Sequence, residues 1–173
     1  EADLHLPLAI GSDVALFNGL LAEIARRGAV DADYVTAHTS GLENALEAAR
    51  TDDPNVTGLD PDLLAAFYDL WIGTDKTVTV YSQGVNQSSA GTDKVNAIIN
   101  CHLATGRIGR PGTGPFSVTG QPNAMGGREV GGLANMLACH LELENADHSA
   151  AVRDFWGVPS LPDKPGLKAV DMF

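Results

Sequence analysis

The chain has 173 residues, 44% of them apolar, enough for one sizeable core or for parts of two domains. Its formal net charge of −11 at pH 7 excludes the basic face that a nucleic-acid binder needs. No run of about eighteen apolar residues could form a membrane helix, and two cysteines do not make a disulfide framework.

The charge is unevenly placed. Residues 1–75 hold 14 acidic and 3 basic side chains, and residues 129–173 hold 7 acidic and 3 basic. Between them, Lys76, Lys94, Arg107, Arg110 and Arg128 face Asp93 alone, so this middle region is the one suited to an anion. A secretory leader pattern is not seen, and a cytoplasmic setting is the expectation. The chain starts at Glu1 rather than Met, opens on LHLPLAI and stops at AVDMF, so it is expected to be an internal piece of a larger protein.

In chain order, an extended segment reaches the turn Gly11-Ser12-Asp13, where Ser12 or Asp13 can cap a helix over 14–27 that Gly28 stops. Such a turn suits a phosphate or a ribose hydroxyl, and equally an ordinary helix start. Residues 31–50 read as a second helical region broken near 39–41, with Tyr34, Val35, Leu42 and Leu46 inward. Asp60-Pro61 is a cap with proline at the first helical position, opening a helix to about Trp71. KTVTVYSQG has the β-branched density of a buried strand, with Val78 and Val80 on one face. The loop 84–94 follows, then a helix capped by Thr92 or Asp93 with an apolar stripe of Val95, Ile98, Ile99 and Leu103. A strand, a small polar loop and a helix form the ligand-facing edge of a parallel α/β sheet.

Residues 105–132 contain nine of the nineteen glycines, with Pro111, Pro115 and Pro122 among them and few charges. They read as a rigid ligand-facing loop. A helix from about Gly127 to His140 and a short one around 149–155 complete the chain.

Walker, HExxH, GxSxG and GxGxxG patterns are missing. Cys101-His102 and Cys139-His140 repeat a pair, but neighbours on a helix point about 100° apart and chelate poorly; both cysteines are read as buried small hydrophobes. Arg128 follows two glycines at the expected helix start, where a guanidinium would add to backbone N–H groups around a small oxyanion. A pair with Glu129 or a clamp on loop carbonyls is the plainer reading. The amides Gln83, Asn86, Gln87, Gln121 and Asn123 concentrate in two loops and suit a heterocycle such as a pterin or guanine, or simply satisfy loop backbone.

The stretch YSQGVNQSSAGTDKVNAIINCHLATGRIGRPGTGPFSVTGQPNAMGGREVGGLANMLACH resembles the central part of the molybdopterin-dependent oxidoreductases, in particular the bacterial assimilatory nitrate reductases. ADLHLPLAIGSDVALFNGLL and FWGVPSLPDKPGLKAVDMF look like the segments on either side, so the resemblance covers essentially the whole chain. TGQPNAMGGREVGG looks like the nitrate-reducing branch, whereas formate dehydrogenase relatives tend to have a GQNN-type loop. The resemblance implies a three-layer α/β/α fold with a mainly parallel sheet, spanning residues 1–173 with a sub-boundary near 75–110.

It also implies a bis-molybdopterin guanine dinucleotide cofactor with molybdenum, a [4Fe–4S] cluster held elsewhere in the parent, and nitrate as substrate. Ferredoxin, flavodoxin or an NADH-linked subunit would be the electron donor. By position, Gly11, Ser12 and Asp13 resemble a guanosine-contacting turn. Gln83 and Gln87 match cofactor-loop contacts, Gln83 standing where Met is frequent. Thr119, Gln121 and Arg128 resemble residues lining the nitrate funnel. The N-terminal cluster-binding domain and the C-terminal cofactor domain are not in residues 1–173, so the isolated piece is expected to be inactive and to bind no cofactor. The alternatives are another bis-pterin reductase, a formate-dehydrogenase-like enzyme, or a non-catalytic nucleotide-binding domain.

Overall fold

The computed structural model describes residues 2–121, 123–132, 135–167 and 171. The chain divides into two compact units, Glu1–Val118 and Thr119–Phe173.

In the first unit, helix α1 (Asp13–Arg26) is the centre of the core. Its Leu16, Leu20, Leu21 and Ile24 recur at helical spacing and are buried. They meet Leu46 and Ala49 of α3 (Leu42–Thr51), Tyr68 and Trp71 of α4 (Pro61–Gly73), and Cys101 and Ala104 of α6 (Gly91–Ala104). A fully buried leucine or isoleucine contributes roughly 1.5–3 kcal/mol over its exposed state, so this cluster dominates the unit's stability. Helix α2 (Ala32–His38) is a short piece capped by Asp31, whose side chain accepts from the Tyr34 N–H. The expected break at 39–41 is present, with Gly41 at φ 80° leading into α3.

Two expectations about helix starts need correction. Neither Ser12 nor Asp13 caps α1 through its side chain: the Ser12 hydroxyl donates instead to the Ala9 carbonyl at 2.7 Å. Thr92 and Asp93 lie inside α6, whose first residue is Gly91, and no side chain caps it. Asp60 does cap α4, accepting from Asp62 and Leu63 N–H, with Pro61 at the first position.

Strand β1 (Val78–Tyr81) and strand β2 (Gly114–Ser117) pair in parallel, Val78 opposite Gly114 and Val80 opposite Phe116. The structure is thus α/β with a parallel sheet, of two strands among the described residues. Strand β2 lies inside the glycine-rich stretch expected to be all loop. Glycines and prolines mask the strand pattern there, because only Phe116 and Val118 alternate as strand residues do. Val78 and Val80 share a face as expected, but that face is exposed rather than buried, at 47% and 60%. A short helical turn, α5 (Gln83–Asn86), lies between β1 and α6.

In the second unit, α7 (Ala124–Glu129) stops at Glu129. The expected helix over 127–140 is therefore not formed; part of that range, Leu133 and Ala134, lies outside the described residues. Gly131 has φ 80°, Met136 pairs antiparallel with Glu142, and Ala138–His140 make a tight turn in which Cys139 and His140 are left-handed. Four glycines in or just after α7's range weaken a helix by about 1 kcal/mol each relative to alanine, which explains the early stop. Helix α8 (Ala146–Trp156) follows, its start capped by the Asn145 side chain, and Val152 packs with Leu137 and Leu143. Among the described residues, no helix is long and apolar enough to cross a membrane.

Candidate functional site

The carboxyl ends of β1 and β2 lie on one edge of the sheet because the strands are parallel, and this is where parallel α/β sheets seat ligands. The loop leaving β1 is fastened there by side chains. Ser82 Oγ donates to the Val118 carbonyl at 2.8 Å, and Asn86 Nδ2 donates to Ser117 Oγ at 3.3 Å. Asn86 Oδ1 is buried and has no partner among the described residues. Gln83 and Gln87 flank it in α5 and at its C-cap, both exposed, the Gln87 N–H donating to the Gln83 carbonyl at 3.1 Å.

The loop closes tightly onto α6. A Cβ on Gly91 would lie 2.6 Å from the Asn86 carbonyl oxygen and 2.9 Å from its carbon, both backbone atoms that cannot swing away. Gly91→Ala is expected to displace the 82–90 loop and to cost roughly 1–3 kcal/mol as an overpacking change. Gly73→Ala, which meets nothing within 4 Å, should stay within about 0.5 kcal/mol. Parallel urea melts of the two variants check this pair.

Of the residues expected at a guanosine end, Gly11 takes φ 86° in the turn before α1. Ser12 is buried, its hydroxyl committed to Ala9. Asp13 is half-buried and pairs with Lys94 Nζ at 2.7 Å. That ion pair ties the first turn of α1 to the first turn of α6 and so links the two expected cofactor loops. Lys94 was not singled out from the sequence, although the signal was present. It lies four and seven residues before Ile98 and Cys101, on the buried face of α6, and a buried ammonium needs a partner.

Two further features were not foreseen. A groove of about 400 Å³ between α1, α3 and α6 presents Asn18, Asp52, Asp93, Asn96 and Asn100. Asn18 Nδ2 donates to Asp52 there at 2.7 Å. The other is a buried polar chain behind the sheet. Thr79 Oγ1 lies 2.8 Å from His102 Nε2 and 3.4 Å from Trp71 Nε1, and Arg107 stacks on the Trp71 ring at 4.4 Å. Burial, with the Arg107 charge adding, pulls the His102 pKa down to about 4, so the ring is neutral at pH 7. His102 Nδ1 is buried without a partner among the described residues.

In the second unit, Thr119 and Gln121 are exposed and hydrogen-bonded through their side chains, and the Gln121 N–H donates back to Thr119 Oγ1 at 3.4 Å. Arg128 is exposed, in the last turn of α7 and not at a helix start, so the expected addition to N-terminal backbone donors does not hold. Its side chain makes no ion pair with Glu129; among the described residues, six other ion pairs form. Cys101 is buried as expected, its thiol pushed up by burial. Cys139 is exposed, which corrects its reading as a core residue, because the left-handed turn at 139–140 points it away.

The family model for molybdopterin oxidoreductases matches residues 1–173. The chain is 48% identical to a nitrate reductase of Shewanella frigidimarina, over 100% of this chain and 19% of that protein. It is 50% identical to a nitrate reductase of Klebsiella oxytoca, over 99% of this chain and 20% of that protein. The assimilatory nitrate reductase catalytic subunit of Bacillus subtilis is 32% identical over 99% of this chain and 25% of its own length. The chain thus spans about a fifth to a quarter of the length of these relatives. With the parallel strand–loop–helix unit and the family match running over the same 173 residues, the chain belongs to the molybdopterin oxidoreductase family.

Proposed function

We propose that residues 1–173 are part of a molybdenum-dependent nitrate reductase that converts nitrate to nitrite. The observation that carries this reading is the 48% and 50% identity, across the whole chain, to two proteins named nitrate reductase. The residues of the first unit fit a pterin-based group. Asn86 Oδ1 is a buried acceptor with no partner among the described residues, and beside it in sequence stand two exposed glutamines at the carboxyl end of a parallel strand. Amides both donate and accept, which a pterin edge requires.

In this reading, Gln83 and Gln87 hold a molybdopterin guanine dinucleotide, and the Gly11–Asp13 turn meets a guanosine end. The buried Ser12 hydroxyl leaves backbone groups and Asp13 as the contacts of that turn. A molybdenum–pterin group held there, one of a bis pair, would supply two-electron oxygen-atom chemistry, and a [4Fe–4S] cluster elsewhere in the parent would be its electron source. Arg128 holds nitrate through paired N–H donors and stabilises negative charge as it builds. Its exposed guanidinium, in no ion pair among the described residues, supports that role. Thr119 and Gln121, already bonded to each other, orient the anion. The donor is ferredoxin, flavodoxin or an NADH-linked subunit, the location is cytoplasmic, and residues 1–173 alone do not turn over.

The test is nitrate reduction by the full-length protein with a reduced dye, with molybdenum content assayed in parallel. Arg128→Ala is expected to lower kcat/KM by about a hundredfold, the loss typical of one removed charge-stabilising donor, while the metal is retained. Unchanged turnover with full metal would remove Arg128 from the reaction.

A further inference from the structure

A buried lysine in the first turn of a helix works against the fold. Helix N-termini favour anions, and an ammonium taken out of water costs free energy unless it is paired. Lys94 meets both penalties, lying in the first turn of α6 at 7% exposure. Its partner is Asp13 in the first turn of α1, with Nζ 2.7 Å from Oδ2. Replacing a buried ion pair by well-packed apolar side chains is often neutral or stabilising, so stability alone does not account for this one.

Its position does. Farther along, α1 and α6 are joined by apolar contacts and by the Cys101 thiol, which donates to the Phe17 carbonyl at 3.2 Å. At their N-terminal ends no side chain caps either helix, and there Lys94–Asp13 is the link between them. On one side, Asp13 belongs to the turn whose Ser12 hydroxyl is committed to the Ala9 carbonyl. On the other, Gly91 opens α6 hard against the Asn86 backbone, so the loop that carries Gln83 and Gln87 moves with the helix. The Asp13 side chain is still 23% exposed. Its carboxylate therefore stays within reach of a ligand while Lys94 fixes its direction.

We propose, resting on the cofactor reading above, that Lys94 is a positioning residue for the molybdopterin guanine dinucleotide. Through Asp13 it locks the 11–13 turn to the 82–90 loop, and the two meet their ligand at a fixed separation. Contacts set before binding add affinity because ordering them afterwards costs free energy. The misplaced charge is thus retained for geometry.

The experiment uses the full-length protein and reads cofactor content, not turnover. Lys94→Met keeps the length of the side chain and removes its charge, whereas Lys94→Arg keeps the cation. Each is purified beside the parent, and molybdenum, released pterin and released guanine are counted per polypeptide. Lys94→Met is expected to carry at least about tenfold less of all three, as when the partner that orients a ligand-holding side chain is lost. Lys94→Arg should recover most of it. Backbone hydrogen exchange over residues 16–24 and 97–104 is compared in cofactor-free protein, made in cells that do not supply the pterin, and should be the same in Lys94→Met as in the parent. Faster exchange there assigns the pair to stability and overturns the proposal. So does parent-like cofactor content in Lys94→Met, or no recovery in Lys94→Arg. A parent protein that purifies without molybdenum and pterin removes the cofactor reading itself, and is told apart because the parent is then empty too.

Discussion

Arg107→Ala is expected to destabilise the first unit by about 3–5 kcal/mol, a large loss for one substitution. Arg107 is nearly enclosed, at 6% exposure, and its guanidinium donates to the carbonyls of Trp71 at 2.9 Å, Ile72 at 3.2 Å and Thr74 at 2.6 Å. Those are carbonyls at the end of α4, which have no partner within the helix. Removing the side chain takes the Arg107 donor from the buried Trp71 carbonyl and the part-buried Ile72 carbonyl, at about 1–3 kcal/mol each, and strips the cation from the Trp71 face, while the Thr74 carbonyl keeps the Thr77 hydroxyl. Arg107→Lys should recover only part of the loss, because a single ammonium cannot reach three carbonyls spread along a helix end. Urea unfolding of the 173-residue chain, followed by circular dichroism, measures both. A loss under about 1 kcal/mol for the alanine variant would show that water replaces the clamp.

The second large effect is a loss of stability on mild acidification, traced to His102. Its folded pKa is about 4, below the ordinary 6.5, because burial and then the Arg107 charge disfavour the protonated ring. Between those values the unfolded chain binds a proton that the native chain does not, so stability rises with pH across this window. Read downward, stability is lost as pH falls from about 6.5 to about 4, by something of order 3 kcal/mol. Glu23 acts in a separate window. Its hydrogen bond to Arg26, with Arg27 adding, holds the carboxyl at about 2, against an ordinary 4.5. Its contribution is present above 4.5 and fades only as pH falls towards 2; being a surface pair, it is worth little. His102→Gln keeps a polar group near Thr79 without a proton to take up. Its urea midpoint should therefore change less between pH 7 and pH 4.5 than that of the parent chain. Identical slopes for the two would assign the acid sensitivity elsewhere.

The longer helices of the first unit were legible in the sequence because each is a local pattern, whereas α5 and α7 were not. The stripe through Leu16, Leu20 and Ile24, the Asp60-Pro61 cap and the break at Thr39–Gly41 all rest on residues within a turn or two of each other. The strand–loop–helix unit at residues 78–104 was legible for the same reason, and the amides of its loop were readable as chemistry. The family could be named from the loop motifs, since they hold residue types at fixed spacing.

What the tertiary structure alone decided depends on partners distant in sequence. Strand β2 exists because β1, more than thirty residues earlier, gives Gly114–Ser117 a hydrogen-bonding edge, and no periodicity in that glycine-rich stretch announces it. Helical spacing puts Lys94 on the buried face of α6, but only the fold shows that its partner is Asp13, and only the fold shows Arg107 closing α4. Arg128 sits at the end of α7 rather than at a start, because the glycines after Met125 let the helix stop within six residues. Composition and local spacing thus determined the longer helices of the first unit and which loops could hold a ligand. Where the chain must meet itself across a distance, the free energy belongs to a pair of segments, and neither one's sequence contains it.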